Sequence, residues 1–201
     1  MFGITNDTSP NALELLRRDH QEVDDLFKQY EQIKENADDS EKEALVAKIC
    51  DALTVHAQIE ETIFYPAARR VLQEEEGQDL LNEAAVEHQT LKDIIGRLEA
   101  APTSDPLYDA GVKVLAEYTK HHVREEENEL FPKVRSSDMD LQAIGQLLAE
   151  RKQQLENRGS RSSGNGGRGR KSQSAQRQSE NAQGSRGQRS AENEQRSRNT
   201  H

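Results

Sequence analysis

One pattern occurs twice in the chain, and this repeat constrains the fold more than any other feature. The first copy reads His56-Ala-Gln-Ile-Glu60-Glu-Thr-Ile-Phe-Tyr65-Pro66, and the second reads His122-Val-Arg-Glu-Glu126-Glu-Asn-Glu-Leu-Phe131-Pro132. A lone histidine precedes each copy, as Asp19-His20-Gln21 and as Glu87-His88-Gln89. A His and a Glu four residues apart project from one face of an α-helix, one turn apart. The repeat therefore predicts helices that carry these side chains on matching faces.

Apolar residues recur at steps of three and four through residues 10–135, which is typical of amphipathic helices. The histidines and both motif glutamates lie within these apolar faces. Four helices joined by short loops predict an all-α fold, an up-down-up-down four-helix bundle. An additional short C-terminal helix is predicted through Leu141, Ile144, Leu147 and Leu148.

Local signals place the helix boundaries. Ser9-Pro10 predicts the start of the first helix, and Ser40 with Glu43 predicts a capping box for the second. Gly77 is a predicted stop for the second helix. Pro66 and Pro132 remove a backbone donor and predict a local distortion of helices two and four.

Charge divides the chain into two parts. Residues 1–157 carry 17 Lys and Arg against 34 Asp and Glu, whereas residues 158–201 carry 10 against 3. Gly, Ser, Arg, Gln and Asn dominate the second part, which has too few apolar side chains to bury. We predict a metal-binding helical domain over 1–157 and a disordered basic tail over 158–201.

The composition also bears on the compartment. A single cysteine, Cys50, excludes an intrachain disulfide and a cysteine-based metal site. The N-terminus lacks a secretory pattern, and no apolar run is long enough to cross a membrane. We therefore expect a soluble, cytoplasmic protein without membrane insertion.

Six residues on the predicted inner faces have side chains that bind metals. A lone histidine on an apolar face is usually a hydrogen-bonded core residue, but an unpaired buried carboxylate is costly. Four imidazoles and two carboxylates, with no buried Lys or Arg on these apolar faces, leave two negative charges, which two divalent cations would balance. Imidazole with carboxylate suits iron, manganese or zinc. The candidate metal ligands are His20, His56, Glu60, His88, His122 and Glu126.

The order His, His-x-x-x-Glu, His, His-x-x-x-Glu resembles the haemerythrin-like, or HHE cation-binding, domain, and the acidic-aromatic-proline ending of each copy strengthens the match. The similarity covers roughly residues 10–135. It implies a four-helix bundle around two iron ions in an oxo-bridged, non-haem di-iron centre. It also implies that the six residues are the ligands, with Glu60 and Glu126 bridging.

The pattern departs from that of oxygen-carrying haemerythrins at two places. Those proteins have a second histidine one turn from the one on the third helix, where this chain has Ala84 and Lys92. Their last motif has an Asp five residues after the His, where this chain has Glu126 at four. The site is closer to the four-His, two-Glu arrangement of bacterial repair-of-iron-centres proteins. This favours reaction with peroxide, oxygen or nitric oxide, or iron sensing and exchange, over reversible oxygen transport.

Several neighbours of the six residues have two readings. His121 lies about 100° around the helix from His122 and is predicted to face solvent or to support a ligand. Glu61, Glu87 and Glu127 are either solvated or orient a ligand histidine. Aromatic residues near the motifs are predicted to pack rather than to take part in chemistry, namely Tyr65, Phe131 and Phe27.

The function predicted from the sequence is a di-iron protein that interacts with O2, NO or peroxide, or that senses or handles labile iron under redox or iron stress. Any catalysis would be redox chemistry at the metals, since no nucleophile and base pair suggests hydrolysis. Glu-x-x-His and His-Glu-x-x-His are absent, which excludes ferritin-like and zinc-protease motifs. The alternative is a helical interaction module with structural histidines, whose basic tail binds nucleic acid or another acidic partner.

Overall fold

The computed structural model describes residues 10–163 and the side chains of residues 10–158. This part of the chain is helical and holds no strand, which confirms the all-α prediction. The helices are α1 Ala12–Ile33, α2 Asp39–Ile59, α3 Tyr65–Val71, α4 Glu75–Ala100, α5 Tyr108–Glu125, α6 Phe131–Arg135 and α7 Leu141–Ser163. Two π-helical segments, Glu60–Phe64 and Glu126–Leu130, connect α2 to α3 and α5 to α6. None of the helices in residues 10–163 is long and apolar enough to cross a bilayer.

Asn and Asp side chains cap α1 and α2, at positions that differ from the predicted ones. Asn11 begins α1 through a capping box with Glu14, whereas the predicted cap, Ser9, lies outside the described residues. The Asp38 carboxylate accepts from the backbone N–H of Glu41, so α2 begins upstream of Ser40. Asn and Asp cap a helix as well as Ser does.

Gly77 does not end the second helix, so that prediction is wrong. The backbone leaves the helix at Leu72, and Gly77 lies in the first turn of α4. A Cβ atom at Gly77 would stand 2.8 Å from Leu72 Cβ. The glycine therefore permits a tight connection between two helices rather than a left-handed cap.

The distortion predicted at the two prolines is confirmed as a π-turn before each of them. The N–H of Tyr65 donates to the Glu60 carbonyl, and the N–H of Phe131 donates to the Glu126 carbonyl, five residues back in both cases. Pro66 and Pro132 follow immediately and have no N–H to donate. Both π-turns begin at a motif glutamate, and turns of this kind are frequent at functional sites.

Two apolar clusters form the core. Helices α1, α2 and α4 contribute residues to both clusters, whereas α5 contributes to one and continues through the second π-segment into the other. One contains Leu16, Phe64 and Phe131, and the other contains Phe27 and Ile49. In α1 and α4 the first cluster precedes the histidine in sequence and the second follows it, and in α2 and α5 this order is reversed. The polar motif residues therefore lie at the level between the two clusters.

Helix α7 is not the short helix that the sequence predicted. It has 23 residues against 22 in α1, because strong helix formers such as Glu150 and Lys152 continue after the apolar positions. Leu148 is fully buried in the first core cluster, whereas Leu147, predicted to face inward, is 50% exposed. Gly145 brings α7 close to the start of α1, since a Cβ there would lie 2.6 Å from the Pro10 carbonyl oxygen.

The chain divides into two compact units, Met1–Glu156 and Asn157–His201. The first unit holds α1 to α6 and most of α7. Of the second unit the structure describes the last turns of α7, which reach Ser163 within the predicted tail. The disorder predicted for the tail lies otherwise outside the described residues.

Candidate metal centre

The structure brings all six predicted ligands together in the layer between the two core clusters. Each comes from a long helix or from the first residue of a π-segment, and none is more than 6% exposed. Their order along the chain is His20 on α1, His56 on α2, Glu60 in the first π-segment, His88 on α4, His122 on α5 and Glu126 in the second π-segment. Burying so many polar groups together requires compensating interactions.

The imidazoles meet in two pairs through their Nε2 atoms. The Nε2 atoms of His20 and His56 are 3.1 Å apart, and so are those of His88 and His122. Each pair joins a lone histidine to the histidine of a repeated motif. The structure thus reproduces the internal repeat as two similar halves.

The carboxylates lie among these nitrogen atoms. Glu126 Oε2 is 3.2 Å from His20 Nε2, and Glu60 Oε2 is 3.2 Å from His56 Nε2 and 3.4 Å from His88 Nε2. Two overlapping groups therefore offer ligand atoms within 4.8 Å of one another: His20, His56, Glu60 and Glu126 in one, and Glu60, His88 and His122 in the other. Glu60 belongs to both groups, which is the position that a bridging ligand would occupy.

A carboxylate faces the opposite ring nitrogen of each histidine. Glu127 Oε1 lies 2.7 Å from His20 Nδ1, Glu61 Oε1 lies 2.9 Å from His88 Nδ1 and Glu87 Oε2 lies 2.8 Å from His122 Nδ1. Asp19 Oδ2 lies 3.6 Å from His56 Nδ1. Such carboxylates fix the orientation and tautomer of metal-binding histidines. Of the two readings of Glu61, Glu87 and Glu127, these contacts favour the orienting one.

The repeat contains a signal for these orienting residues that the sequence analysis did not use. An acidic residue precedes each lone histidine, as Asp19 and Glu87, and contacts the motif histidine of the neighbouring helix. Another follows each motif glutamate, as Glu61 and Glu127, and contacts the lone histidine. Asp19 was not singled out from the sequence, although its place matches that of Glu87.

Basic side chains on the outside pair with the same four carboxylates. Lys92 Nζ is 2.6 Å from Glu61, Lys152 Nζ of α7 is 2.7 Å from Asp19, and Arg17 Nε is 3.5 Å from Glu127. His121 Nε2 is 3.4 Å from Glu87. Although burial opposes it, the facing histidines and these Lys and Arg side chains together hold the pKa of Asp19, Glu61 and Glu127 below the ordinary values.

The Nε2 pairs have an electrostatic consequence. If His88 and His122 donate their Nδ1–H groups to Glu61 and Glu87, their facing Nε2 atoms present lone pairs to each other at 3.1 Å. In the other half His20 Nδ1 faces Glu127 in the same way, whereas His56 Nδ1 has no hydrogen-bond partner within the described residues. Two facing lone pairs repel unless a cation lies between or beside them. In both halves the donor set therefore fits a metal ion.

Protons partly replace such cations in the metal-free protein. Burial lowers the pKa of His20, but hydrogen bonds to Glu126 and Glu127 outweigh it and raise the pKa to about 10. Burial and the charge of Glu126 raise the pKa of Glu60 to about 8. Burial also acts on Glu126, but the His20 hydrogen bond and the nearby imidazoles hold its pKa at about 2. Within the described residues, Glu60 Oε1 and Glu126 Oε1 have no hydrogen-bond partner, so each retains a free acceptor for a cation.

Tyr65 packs in the core, as predicted, and its hydroxyl also contacts the centre. Its hydroxyl lies 3.4 Å from Glu60 Oε2 and 3.3 Å from His88 Nε2, and burial raises its pKa well above the ordinary value. Phe131 occupies the same place in the second copy and stacks on His20 with ring centroids 6.0 Å apart. The two halves of the centre therefore differ by one hydroxyl group.

A small cavity of about 20 Å³ lies beside the four histidines. Apolar side chains, including Val23, Leu53 and Leu91, form much of its wall. Thr119 also lines it, and its buried hydroxyl has no partner among the described residues. By contrast, Thr62 and Thr90 donate to the carbonyl four residues back in their helices. The space can hold a small molecule, and the Thr119 hydroxyl is, within residues 10–158, an unpartnered polar group in its lining.

A sequence model of the Hemerythrin HHE cation binding domain matches residues 11–134. A protein from Nostoc sp. named DNA nickase is 28% identical over 159 residues, which cover 78% of this chain and 43% of that protein. The chain thus spans less than half the length of this relative.

Two mycobacterial proteins are similar to this chain over most of their own length. An uncharacterized protein of Mycobacterium tuberculosis is 27% identical over 153 residues, which cover 75% of this chain and 89% of that one. The crystal structure of a Hemerythrin HHE cation binding domain-containing protein from Mycobacterium kansasii superposes with a TM-score of 0.64 at 25% identity. It covers 79% of this chain and 95% of that one.

Proposed function

Because the chain belongs to the Hemerythrin HHE cation-binding family, we propose that its buried His and Glu side chains hold two iron ions and present them to a small ligand. The ligands are His20, His56, Glu60, His88, His122 and Glu126, with both glutamates bridging. The observation that carries the proposal is the pair of 3.1 Å Nε2 contacts whose outer nitrogens face carboxylates. Manganese or zinc would suit the same donors, and iron is the family expectation.

We also propose that α1, α2 with α3, α4, and α5 with α6 form an up-down-up-down bundle around this centre. The packing of α1 with α2 and α5, and of α4 with α2 and α5, supports it. So does the alternating order of the two core clusters along the four helices. In such a bundle each helix crosses the ligand layer once, which places the repeated motifs opposite each other.

The residues around the ions have separable tasks. Bound iron would supply one-electron redox chemistry and open coordination positions. Asp19, Glu61, Glu87 and Glu127 hold each imidazole with Nε2 directed inward and strengthen it as a donor. Val23 and Leu53 exclude water from the adjacent space, and Thr119 offers a hydrogen bond there.

The size of that space favours a diatomic molecule or peroxide as the ligand. Its apolar wall suits O2 or NO, and the Thr119 hydroxyl suits a ligand atom that accepts a hydrogen bond. We propose that the protein binds or senses such a molecule, or holds labile iron, under redox or iron stress.

Metal content per chain, measured on untagged protein, tests the proposal. Anaerobic ferrous loading should give about two irons per chain, and admission of air or NO should produce a visible charge-transfer band. The variant H56A should lose one of the two ions. The control variant H121A removes an exposed histidine next to a proposed ligand and should retain both ions at equilibrium. A parent protein that binds no metal, or an H56A variant that binds two ions with parental affinity, would refute the ligand assignment.

Nucleic-acid contact is the second candidate function, and the name of the Nostoc relative favours it. The basic residues that would carry it lie in the segment 158–201. Deleting this segment should abolish salt-dependent retention on a DNA column if the contact exists, and should leave metal content unchanged. Equal retention of the two proteins would exclude the tail as the binding element.

A further inference from the structure

A third group of metal-binding side chains lies at the surface, outside the six buried residues. His121 Nε2 is 3.4 Å from Glu87 Oε1 and 3.1 Å from Glu125 Oε1, and the ligand atoms of all three residues lie within 4.8 Å of one another. The His121 side chain is 44% exposed, so solvent reaches the group. One imidazole and two carboxylates suit a divalent first-row cation.

A crevice leads inward from this group between α4 and α5. Glu83, Glu87 and Glu125 line its outer part, and His122 and Glu126 line its inner part. Glu126 is 3% exposed, and its Oε1 atom has no partner within the described residues. A buried acceptor without a partner thus stands at the inner end of an acidic path.

Glu87 links the surface group to the buried centre. Its Oε1 atom faces His121 at the surface, and its Oε2 atom faces Nδ1 of the buried His122 at 2.8 Å. One carboxylate therefore separates the two groups, and a cation that leaves the first needs only a short movement along the crevice to meet the second.

The internal repeat shows that this acidic path exists on one side only. When the two copies are aligned on their histidines and glutamates, the places of Glu83, His121 and Glu125 are taken by Leu15, Val55 and Ile59. Leu15 and Ile59 are buried in the core cluster that also contains Leu148 of α7. Both halves of the repeat therefore have the proposed buried ligands. Only one half has metal-binding side chains at the positions of Glu83, His121 and Glu125.

Arg124 limits how tightly the surface group would hold a cation. Its Nη2 atom lies 3.0 Å from His121 Nδ1 and brings a positive charge to the other side of the imidazole. Arginine only donates hydrogen bonds, so this contact makes Nδ1 the acceptor and leaves the ring proton on Nε2. A cation binds at Nε2 only when that proton moves and the guanidinium withdraws, and the positive charge of Arg124 opposes the cation as well. Such a group is suited to brief occupancy rather than to permanent storage.

We propose that Glu87, His121 and Glu125 capture a divalent cation at the surface and pass it along the crevice to Glu126 and His122. The cation is ferrous iron if the proposed function holds, on which the transfer step rests. The site would thereby determine how fast the buried centre is filled and from which side, without changing how much metal it holds at equilibrium.

Anaerobic mixing of the metal-free protein with Co²⁺, whose visible absorption reports binding, tests the proposal. The double variant H121A/E125Q should fill the buried centre about tenfold more slowly, since loss of an electrostatically focused capture site slows association to this extent or more. Its final Co²⁺ content should equal that of the parent. The control E117Q changes an exposed acid of the same helix and should load at the parental rate, whereas R124Q should load faster. Circular dichroism confirms that each variant is folded.

Each outcome of this experiment is decisive. Equal loading rates of H121A/E125Q and E117Q would overturn the proposal, even if two ions are bound inside. If the parent protein binds a single Co²⁺ ion and H121A/E125Q binds none, the surface site exists, but the buried centre and the transfer step are refuted. A parent protein that binds no Co²⁺ would overturn both.

Discussion

Replacing Glu127 by Gln is the most direct test of how the outer carboxylates act on the centre. Glu127 Oε1 makes the shortest of the four Nδ1 contacts, 2.7 Å from His20, and glutamine retains the shape of the side chain without its charge. His20 belongs to only one of the two overlapping ligand groups. We therefore expect E127Q to weaken one ion and to leave the other unchanged.

The expected size of this effect follows from the contact. Loss of a partner that orients a metal-bound histidine costs about 10–100-fold in metal affinity, which is about 1.4–2.7 kcal/mol. The Glu127 side chain is 30% exposed, so solvent screens part of its charge. A loss of about tenfold, at the lower end of that range, is the expected result.

Anaerobic titration with Co²⁺ against a chromophoric chelator measures both affinities. The control is E129Q, which removes the same charge from an exposed position in the same π-segment. The titration of E127Q should separate into a weakened step and a parental step, whereas that of E129Q should match the parent. Equal weakening of both ions, or identical titrations of E127Q and E129Q, would refute the orienting role of Glu127.

Three further predictions concern the metal-free protein and the C-terminal helix. Burial and the charge of Glu126 raise the pKa of Glu60 to about 8, so at pH 9 the metal-free protein carries a costly buried charge at Glu60. The variant E60Q should therefore unfold at a higher temperature than the metal-free parent at this pH, and it should bind less metal. A lower melting midpoint for metal-free E60Q would contradict the cost of this buried charge. His20 has its pKa raised to about 10, so its contribution to stability is complete below its ordinary pKa of about 6.5 and is lost as pH rises through 10. Glu126 has its pKa lowered to about 2, so its contribution is complete above about 4.5 and is lost as pH falls through 2. Glu60, with its pKa raised to about 8, lowers stability as pH rises above about 4.5. Thermal melts of metal-free protein should therefore show greatest stability at about pH 5, and a flat profile from pH 5 to 10 would contradict this sign. Finally, L148A should lower the free energy of unfolding, measured in urea, by about 2–5 kcal/mol, because Leu148 is fully buried. L147A should lower it by less than about 0.5 kcal/mol, because Leu147 is 50% exposed. Similar losses for the two variants would contradict the packing of α7 on the core through Leu148.

The sequence was sufficient to bring the six polar residues to one level of a helical core. Helical periodicity places His20 and His88 on apolar faces, and the spacing of four places Glu60 and Glu126 beside their histidines. Both predictions depend only on regular α-helix geometry, which holds up to each motif glutamate. The structure accordingly brings these six side chains together.

Features beyond regular geometry were not predictable in the same way. On a regular α-helix a residue five positions after Glu60 points about 140° away from it, so regular geometry alone does not bring the Tyr65 hydroxyl to Glu60. The contact of Asp19 with His56 depends on how two helices pack, which one helix alone does not specify. The length of α7 was underestimated because its second half has few apolar residues and relies on the intrinsic propensity of Glu150 and its neighbours.

The two π-turns restrict how the length of this protein can change. Each turn contains one more residue than an α-helical turn would, and only this extra residue brings Tyr65 and Phe131 back to the face of their glutamates. Removing the exposed Thr62 or Asn128 would leave every proposed ligand in place and in order, yet it would rotate the following ring away from the centre by about 100°. Natural variants of this domain should therefore tolerate substitutions at these two exposed positions far better than single-residue deletions.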